Sequence, residues 1–186
     1  MNGVTRAIYA IPHGFLKLSL LKVLHFKSFR FGLLPRIDFR TEISLSFKSK
    51  CLIGKRFNLR SNSIIRVRSG ASLSFGNNVS VAENCIITCR ENIMIGDGTE
   101  ISPHCLIYDH DHDFRAPSGI KEKKFRTSRI IIGKNVWIGA NSIVLRGTKI
   151  GDNCVIGAGS IVKGDIPSNS IFVNGKVDRI IAIKNE

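Results

Sequence analysis

The chain has 186 residues, with 28 Lys/Arg against 14 Asp/Glu and five cysteines. That length bounds it to one domain with at most a short appendage. The longest stretch near the start without Lys, Arg, Asp or Glu, Ala7–Leu16, is ten residues and holds Pro12 and His13, which argues against a membrane span, and no signal-peptide cleavage site is evident. Cys51, Cys85, Cys89, Cys105 and Cys154 are odd in number and form no CxxC pair. They read as free buried thiols in a reducing cytoplasm rather than a disulfide or zinc framework.

Residues 1–14 show no clear pattern. Residues 15–28, FLKLSLLKVLHFKS, read as a helix, with Lys17, Lys22, His25 and Ser28 gathered on one side and Leu and Phe opposite. Such a helix can cap the blunt end of a repeat stack. It can also lie on a membrane surface, and one helix can do both. Residues 1–68 hold 14 Lys/Arg against only Asp38 and Glu42, so the +14 net charge sits almost wholly at the front. The expected partner of that front end is anionic: lipid, acidic glycan or nucleic acid. Weak, salt-dependent contact with an anionic membrane is the favoured form, and nucleic acid is not expected. Pro35 is expected to end the helical region, and residues 1–42 are taken as an N-terminal segment before a second unit, 43–186.

From Ile43 the chain alternates, with Ile43, Leu45 and Phe47 against Ser44, Ser46 and Lys48. Ile53-Gly54 opens a six-residue period that continues at Leu59 and Ile65, loosens at 66–72, and recovers at Leu73, Val79 and Cys85. Ten residues separate Cys85 from Ile95, two short of two full units. The period then runs through Ile95, Ile101 and Ile107, breaks, and resumes at Ile132, Ile138, Val144, Ile150, Ile156 and Val162. A six-residue period fits neither a helix nor an alternating strand. It marks a parallel β-helix in which each hexapeptide is one flat side. Corners call for Gly, Asn or Asp in left-handed backbone geometry, which suits Asn135, Asn141 and Asn153. The predicted fold is therefore all-β, a parallel β-helix with a short N-terminal helix and one protruding loop, 108–129. Asp165-Ile166-Pro167 is expected to close the repeat, since Pro cannot donate to another ladder bond. The tail, 168–186, reads as a strand, a turn at Asn174-Gly175 and a final strand or helix.

The loop opens with Tyr108-Asp109-His110-Asp111-His112-Asp113-Phe114. Loops thrown from a rigid scaffold are where chemistry concentrates. Asp109, Asp111 and Asp113 have the first three spacings of a calcium loop, but Phe114 stands where Gly is required and Ile120 where the bidentate Glu belongs, so no metal is expected. Arg115, Lys121, Lys123, Lys124, Arg126 and Arg129 make the loop basic, suited to phosphates or an anionic acceptor.

Two stretches carry a family resemblance: Ile132-Gly-Lys-Asn-Val-Trp137-Ile-Gly-Ala and Ile150-Gly-Asp-Asn-Cys-Val-Ile-Gly-Ala-Gly-Ser160, leading to Asp165-Ile-Pro167. They resemble the hexapeptide-repeat acyltransferases with a left-handed parallel β-helix. Within that family the chain is most like the galactoside and maltose acetyltransferases and the capsule or lipopolysaccharide O-acetyltransferases. The resemblance implies a homotrimer using acetyl-CoA. It places the general base on His112, by gapless alignment from Ile101-Ser102-Pro103-His104, with His110 and Asp109 beside it as substrate-binding candidates. It places an acceptor contact on Asn84 and an active-site tryptophan on Trp137, and a coenzyme A channel along Gly139, Ala140, Ala158, Ser160 and Lys163. Gly175-Lys-Val-Asp departs from the family's closing Gly-Asn-Pro-Ala, and no counterpart of the sugar enzymes' acidic N-terminal contact is recognisable. The chemistry fits: an imidazole, titrating near neutrality, can take a hydroxyl proton when its second nitrogen is held.

The reading is an acetyl-CoA:saccharide O-acetyltransferase of surface polysaccharide synthesis, with lipid-linked intermediates among the candidate acceptors. It is expected in the cytoplasm, with a peripheral place at the inner membrane face as an option. The alternatives are N-acetylation of a nucleotide-linked amino sugar and a catalytically silent trimeric binding module.

Overall fold

The computed structural model describes residues 3–174 and 178–182. Strands visit three sheets in turn, so the chain winds as a three-sided prism. The first side stacks seven parallel strands, from Phe29–Phe31 to Asp165–Ile166. The second runs from Arg36–Ile37 to Ser170–Asn174, with Asp178–Ala182 added antiparallel. The third stacks six, from Glu42–Leu45 to Ile161–Val162. All nine aliphatics of the period from Ile95 to Val162 point inward and are at most 3% exposed.

Register explains where the period was hard to read. Ile131, Lys149 and Asp165 stack on one another at spacings of 18 and 16 residues. Lys50, Ser72 and Asn92 stack at 22 and 20, so the early coils carry extra corner residues. The loose stretch at 66–72 is such a widened corner, and the short Cys85–Ile95 unit is its tightened successor.

Corner geometry divides between two residue types. Asn135, Asn141 and Asn153 take left-handed φ values of 52°, 60° and 55°, as the pattern predicts. Their amides also stack: Asn135 Nδ2 donates to Asn153 Oδ1 at 3.2 Å, and Asn153 Nδ2 to Asn169 Oδ1 at 3.0 Å. The glycines after the aliphatics serve space instead. A Cβ on Gly96 would lie 2.5 Å from the Gly133 carbonyl oxygen, and one on Gly139 2.5 Å from the Ala158 nitrogen.

The N-terminal segment corrects several expectations. The helix, α1, spans Gly3–Leu24 rather than 15–28, and ends well before Pro35. Pro12 lies inside it. The missing donor there frees the Ile8 carbonyl, and Ile8 is on the exposed face, where water can take its place. Because the helix is continuous through Pro12, Thr5–Leu24 is long and apolar enough by length and composition to cross a membrane, contrary to the argument from Ala7–Leu16. In the structure α1 packs on the coil end through Ala10 and Leu18, which are buried. Arg6 Nε donates to Asp38 at 2.8 Å and Lys17 Nζ to Thr41 Oγ1 at 3.0 Å, fastening its inner face. The capping reading holds.

The boundary at 42 falls inside the first coil. Phe29–Phe31 and Arg36–Ile37 already pair in register with the next coil, with Phe29 and Ile37 fully buried. Phe47, expected to alternate inward with Ile43, is 76% exposed because it follows the strand into a corner. Pro167 does not close the coil either. The chain turns one further side, and Ser170–Asn174 pairs with Val155 and Ile156. The last described element is a strand, Asp178–Ala182; Gly175 of the predicted turn and the Lys-Val that follow it lie outside the described residues. All five cysteines are free and buried.

Candidate active site

In the fourth coil the third side is the strand Leu106–Tyr108, and Asp109 follows it. Its carboxylate is fully buried and accepts from the backbone N–H of Arg90 and of Glu91, each at 2.8 Å, and from the Cys89 thiol at 3.4 Å. Arg90 and Glu91 form the tight turn that shortens the coil after Asn84. The irregularity in the period is thus a cradle of donors built around one carboxylate. Burial would raise the Asp109 carboxyl, but hydrogen bonds from His110, Glu91, Arg90 and Cys89 outweigh it and hold the group below the usual carboxylate range. The same burial, with the carboxylate's charge, pushes the Cys89 thiol up.

Asp109 also meets the next side chain, with His110 Nδ1 3.1 Å from Asp109 Oδ1. Beyond it the loop is not formless. His110–His112 pairs antiparallel with Phe125–Thr127, and a 3₁₀ turn, Gly119–Glu122, lies between. Phe125 is the hub of this hairpin. Its ring lies 5.4 Å from that of His110 and 4.6 Å from that of His112, and the Arg90 guanidinium stacks over it at 3.4 Å. The sequence reading missed Phe125 and Arg90, because a three-residue strand inside a long loop leaves no periodic signal.

The other loop carboxylates turn elsewhere. Asp111 takes Arg146 Nε at 2.5 Å and Asp113 takes Arg126 Nε at 3.0 Å. Among the described residues no group of three or more His, Cys, Asp and Glu side chains is arranged to hold a metal ion.

Apart from Lys163, which follows the third side as Tyr108 does, the remaining candidates lie on another edge. Asn84 is a left-handed corner residue, φ 59°, between the second and third sides, and its Oδ1 accepts from Asn62 at 3.2 Å. Trp137, 55% exposed on the second side, donates from Nε1 to Ser102 Oγ at 3.0 Å near the same corner. In the same coil Gly139 is buried, and the Ala140 carbonyl accepts from Gly159 N of the next coil at 2.8 Å, beside exposed Ala158. Lys163 is exposed past the third side.

Ser160 does not fit a channel contact through its side chain, because it is fully buried. It begins the third side at the register occupied by Ser63, Cys85, Cys105 and Ser142 in earlier coils, all inward. Cys85 and Cys105 donate to the carbonyls of Ser102 and Gly139, and Ser142 to that of Gly157. Small hydrogen-bonding side chains are needed there to fill the narrow corner.

The structure thus brings Asp109, His110 and His112 together at one edge of the third side, and Asn84 with Trp137 at the other. The strand Ile86–Cys89 separates Asn84 from the Arg90 turn, a span of about 13 Å at the usual rise per residue. A single protomer does not bring His112 to Asn84.

Residues 129–163 match the family model described as the hexapeptide repeat of succinyl-transferase. The putative lipopolysaccharide biosynthesis O-acetyl transferase WbbJ of Escherichia coli is 35% identical over 106 residues, covering 53% of this chain and 54% of that protein. The galactoside O-acetyltransferase of E. coli is 36% identical over 106 residues, 55% and 50% respectively. The chain spans about half the length of the curated relatives it matches. Among solved structures, a point mutant of AntD, an N-acyltransferase from Bacillus cereus in complex with dTDP and coenzyme A, superposes with TM-score 0.72 at 25% identity over 89% of each chain. A maltose O-acetyltransferase from Clostridium difficile gives 0.57 at 25% identity, covering 97% and 89%. With its three-sided coil, its repeat match over residues 129–163 and these likenesses, the chain has the hexapeptide-repeat β-helix fold.

Proposed function

We propose that the chain is an acetyl-CoA-dependent O-acetyltransferase acting on a saccharide hydroxyl in surface polysaccharide synthesis. The observation that carries this is the coil break itself. The two-histidine hairpin is locked to the scaffold by a buried carboxylate, one side away from an exposed tryptophan, in a chain similar to sugar O-acetyltransferases. In this reading His112 takes the acceptor proton, the oxygen attacks the thioester carbonyl, the C–S bond breaks, and the imidazolium returns its proton to the departing coenzyme A thiolate. Asp109 holds His110 and the root of the hairpin, and so positions His112. Asn84 contacts the acceptor, and Trp137, Gly139, Ala140, Ala158 and Lys163 line the coenzyme A path.

Because His112 and Asn84 lie at opposite edges of the third side, the complete site needs two protomers, which supports a homotrimer. The reading places the protein in the cytoplasm. The test is release of coenzyme A from acetyl-CoA in the presence of a panel of glycans and lipid-linked saccharides; no acceptor-dependent release from any of them would defeat it.

The fit to AntD favours a second reading, N-acylation of a nucleotide-linked amino sugar. Direct competition between dTDP-linked amino sugars and their hydroxyl counterparts distinguishes the two.

A further inference from the structure

We infer that the outer face of α1 docks on an anionic lipid surface. The helix is apolar on both sides. Ala10 and Leu18 are buried against the coil, whereas Ile8, Leu16, Leu20 and Val23 are each more than 60% exposed. The exposed set recurs at helical spacing along α1, so it forms one continuous face. Beside it, Ile11, Pro12 and Phe15 form a groove with Leu33, Leu34 and Pro35, almost wholly apolar. An uncovered apolar face of this extent marks an interaction surface rather than chance exposure.

Charge identifies the occupant. The two acids of residues 1–68, Asp38 and Glu42, are already bonded to Arg6 and Arg66. Lys27, Arg30, Lys50, Lys55 and Arg56 are exposed, and among the described residues none forms an ion pair. They stand at the margin of the apolar face. Lys27 follows exposed Phe26, and Arg56 N donates to the Leu33 carbonyl at 2.8 Å. Lys27, Arg30 and Lys50 line one recess.

A second copy of the chain fits poorly, since a symmetric contact would bring these like charges together, and protein interfaces are depleted in lysine. Nucleic acid would answer the charge and leave the apolar face unexplained. An anionic bilayer answers both: side chains of the outer face enter the acyl boundary while the cations meet the headgroups. The helix lies in the interface plane rather than crossing it, because Arg6 and Lys17 stay bonded to the coil. The inference stands apart from the proposed chemistry, and its test reads binding alone.

The experiment is flotation of the full chain with vesicles of phosphatidylcholine alone or with about one-third phosphatidylglycerol. The expected result is binding to the anionic vesicles only, weakening as salt rises above about 0.1 M. L16E/L20E and K27E/R30E should each weaken that binding at least tenfold. Leu16 and Leu20 are exposed, so L16E/L20E should keep its Tm; if it does not, L16S/L20S supplies the readout. Failure of the unaltered protein to float overturns the inference, as does equal flotation by the apolar variant. So does a fall in sedimenting mass for L16E/L20E without vesicle binding by the parent, which would make the face a contact between copies.

Discussion

Asp109 and His110 are chain neighbours joined side chain to side chain, Oδ1 to Nδ1 at 3.1 Å, with the carboxylate wholly buried. A charged group in that setting is stable only because four donors converge on it. Asp109→Asn keeps the shape but sets an NH₂ against an N–H of the turn. It should destabilise the chain by about 1–3 kcal/mol, read as a Tm lower by several degrees. Activity should fall as well, because the hairpin root loosens.

The same carboxylate sets an acid limit. Its pKa is lower folded than unfolded, so its contribution to stability is complete above the ordinary carboxylate range and is lost as pH falls through the folded value. Thermal melts of the parent should drop steeply below about pH 4, and Asp109→Asn should flatten that acid limb. Parallel limbs in the two proteins would contradict the assignment.

Separation of His112 and Asn84 by a strand length makes a mixing experiment decisive. His112→Ala and Asn84→Ala should each be nearly inactive alone. Co-refolded at equal amounts, about one-quarter of the sites would draw both intact groups from different protomers. Recovered activity near that fraction supports a shared site in a trimer. No recovery, or a stable monomer in sedimentation at micromolar concentration, rules it out.

Ser160 separates a structural role from a channel role. Ser160→Cys copies the residue found at the same register in two earlier coils, and should keep both Tm and the KM for acetyl-CoA. Ser160→Leu should overpack the corner at about 1–3 kcal/mol. A KM rise in Ser160→Cys without loss of Tm would restore the channel assignment.

The coil was legible because its inward positions repeat. Ile132 through Val162 recur without a break, and every one is buried. The front was not. Phe29 and Ile37 belong to the first coil, yet the 22-residue spacing hides them from a six-residue period. Pro12 counted against a membrane-long helix, but one lost hydrogen bond on an exposed helix face is tolerated. The site was half legible. His110, His112 and Asp109 stand in a run that draws attention, whereas Phe125 and Arg90 reach them only through the hairpin and the Arg90–Glu91 turn, contacts that no local pattern encodes.

The two histidines make the last test. His110 is held at Nδ1 by a buried carboxylate and is only 12% exposed, packed between Tyr108 and Phe125. His112 lies on the exposed side of the hairpin, against Phe125 alone among the rings, where an acceptor can approach. That arrangement suits His110 to hold the hairpin and His112 to meet substrate, in agreement with the gapless match to the family. His112→Ala should therefore cost on the order of 10²–10⁴ in kcat with coenzyme A binding and Tm nearly unchanged. His110→Ala should lower Tm, and should lower kcat less. His110→Gln, which can still donate to Asp109, should restore part of the Tm. Near-normal turnover in His112→Ala refutes the assignment, and a dead but fully stable His110→Ala reverses it.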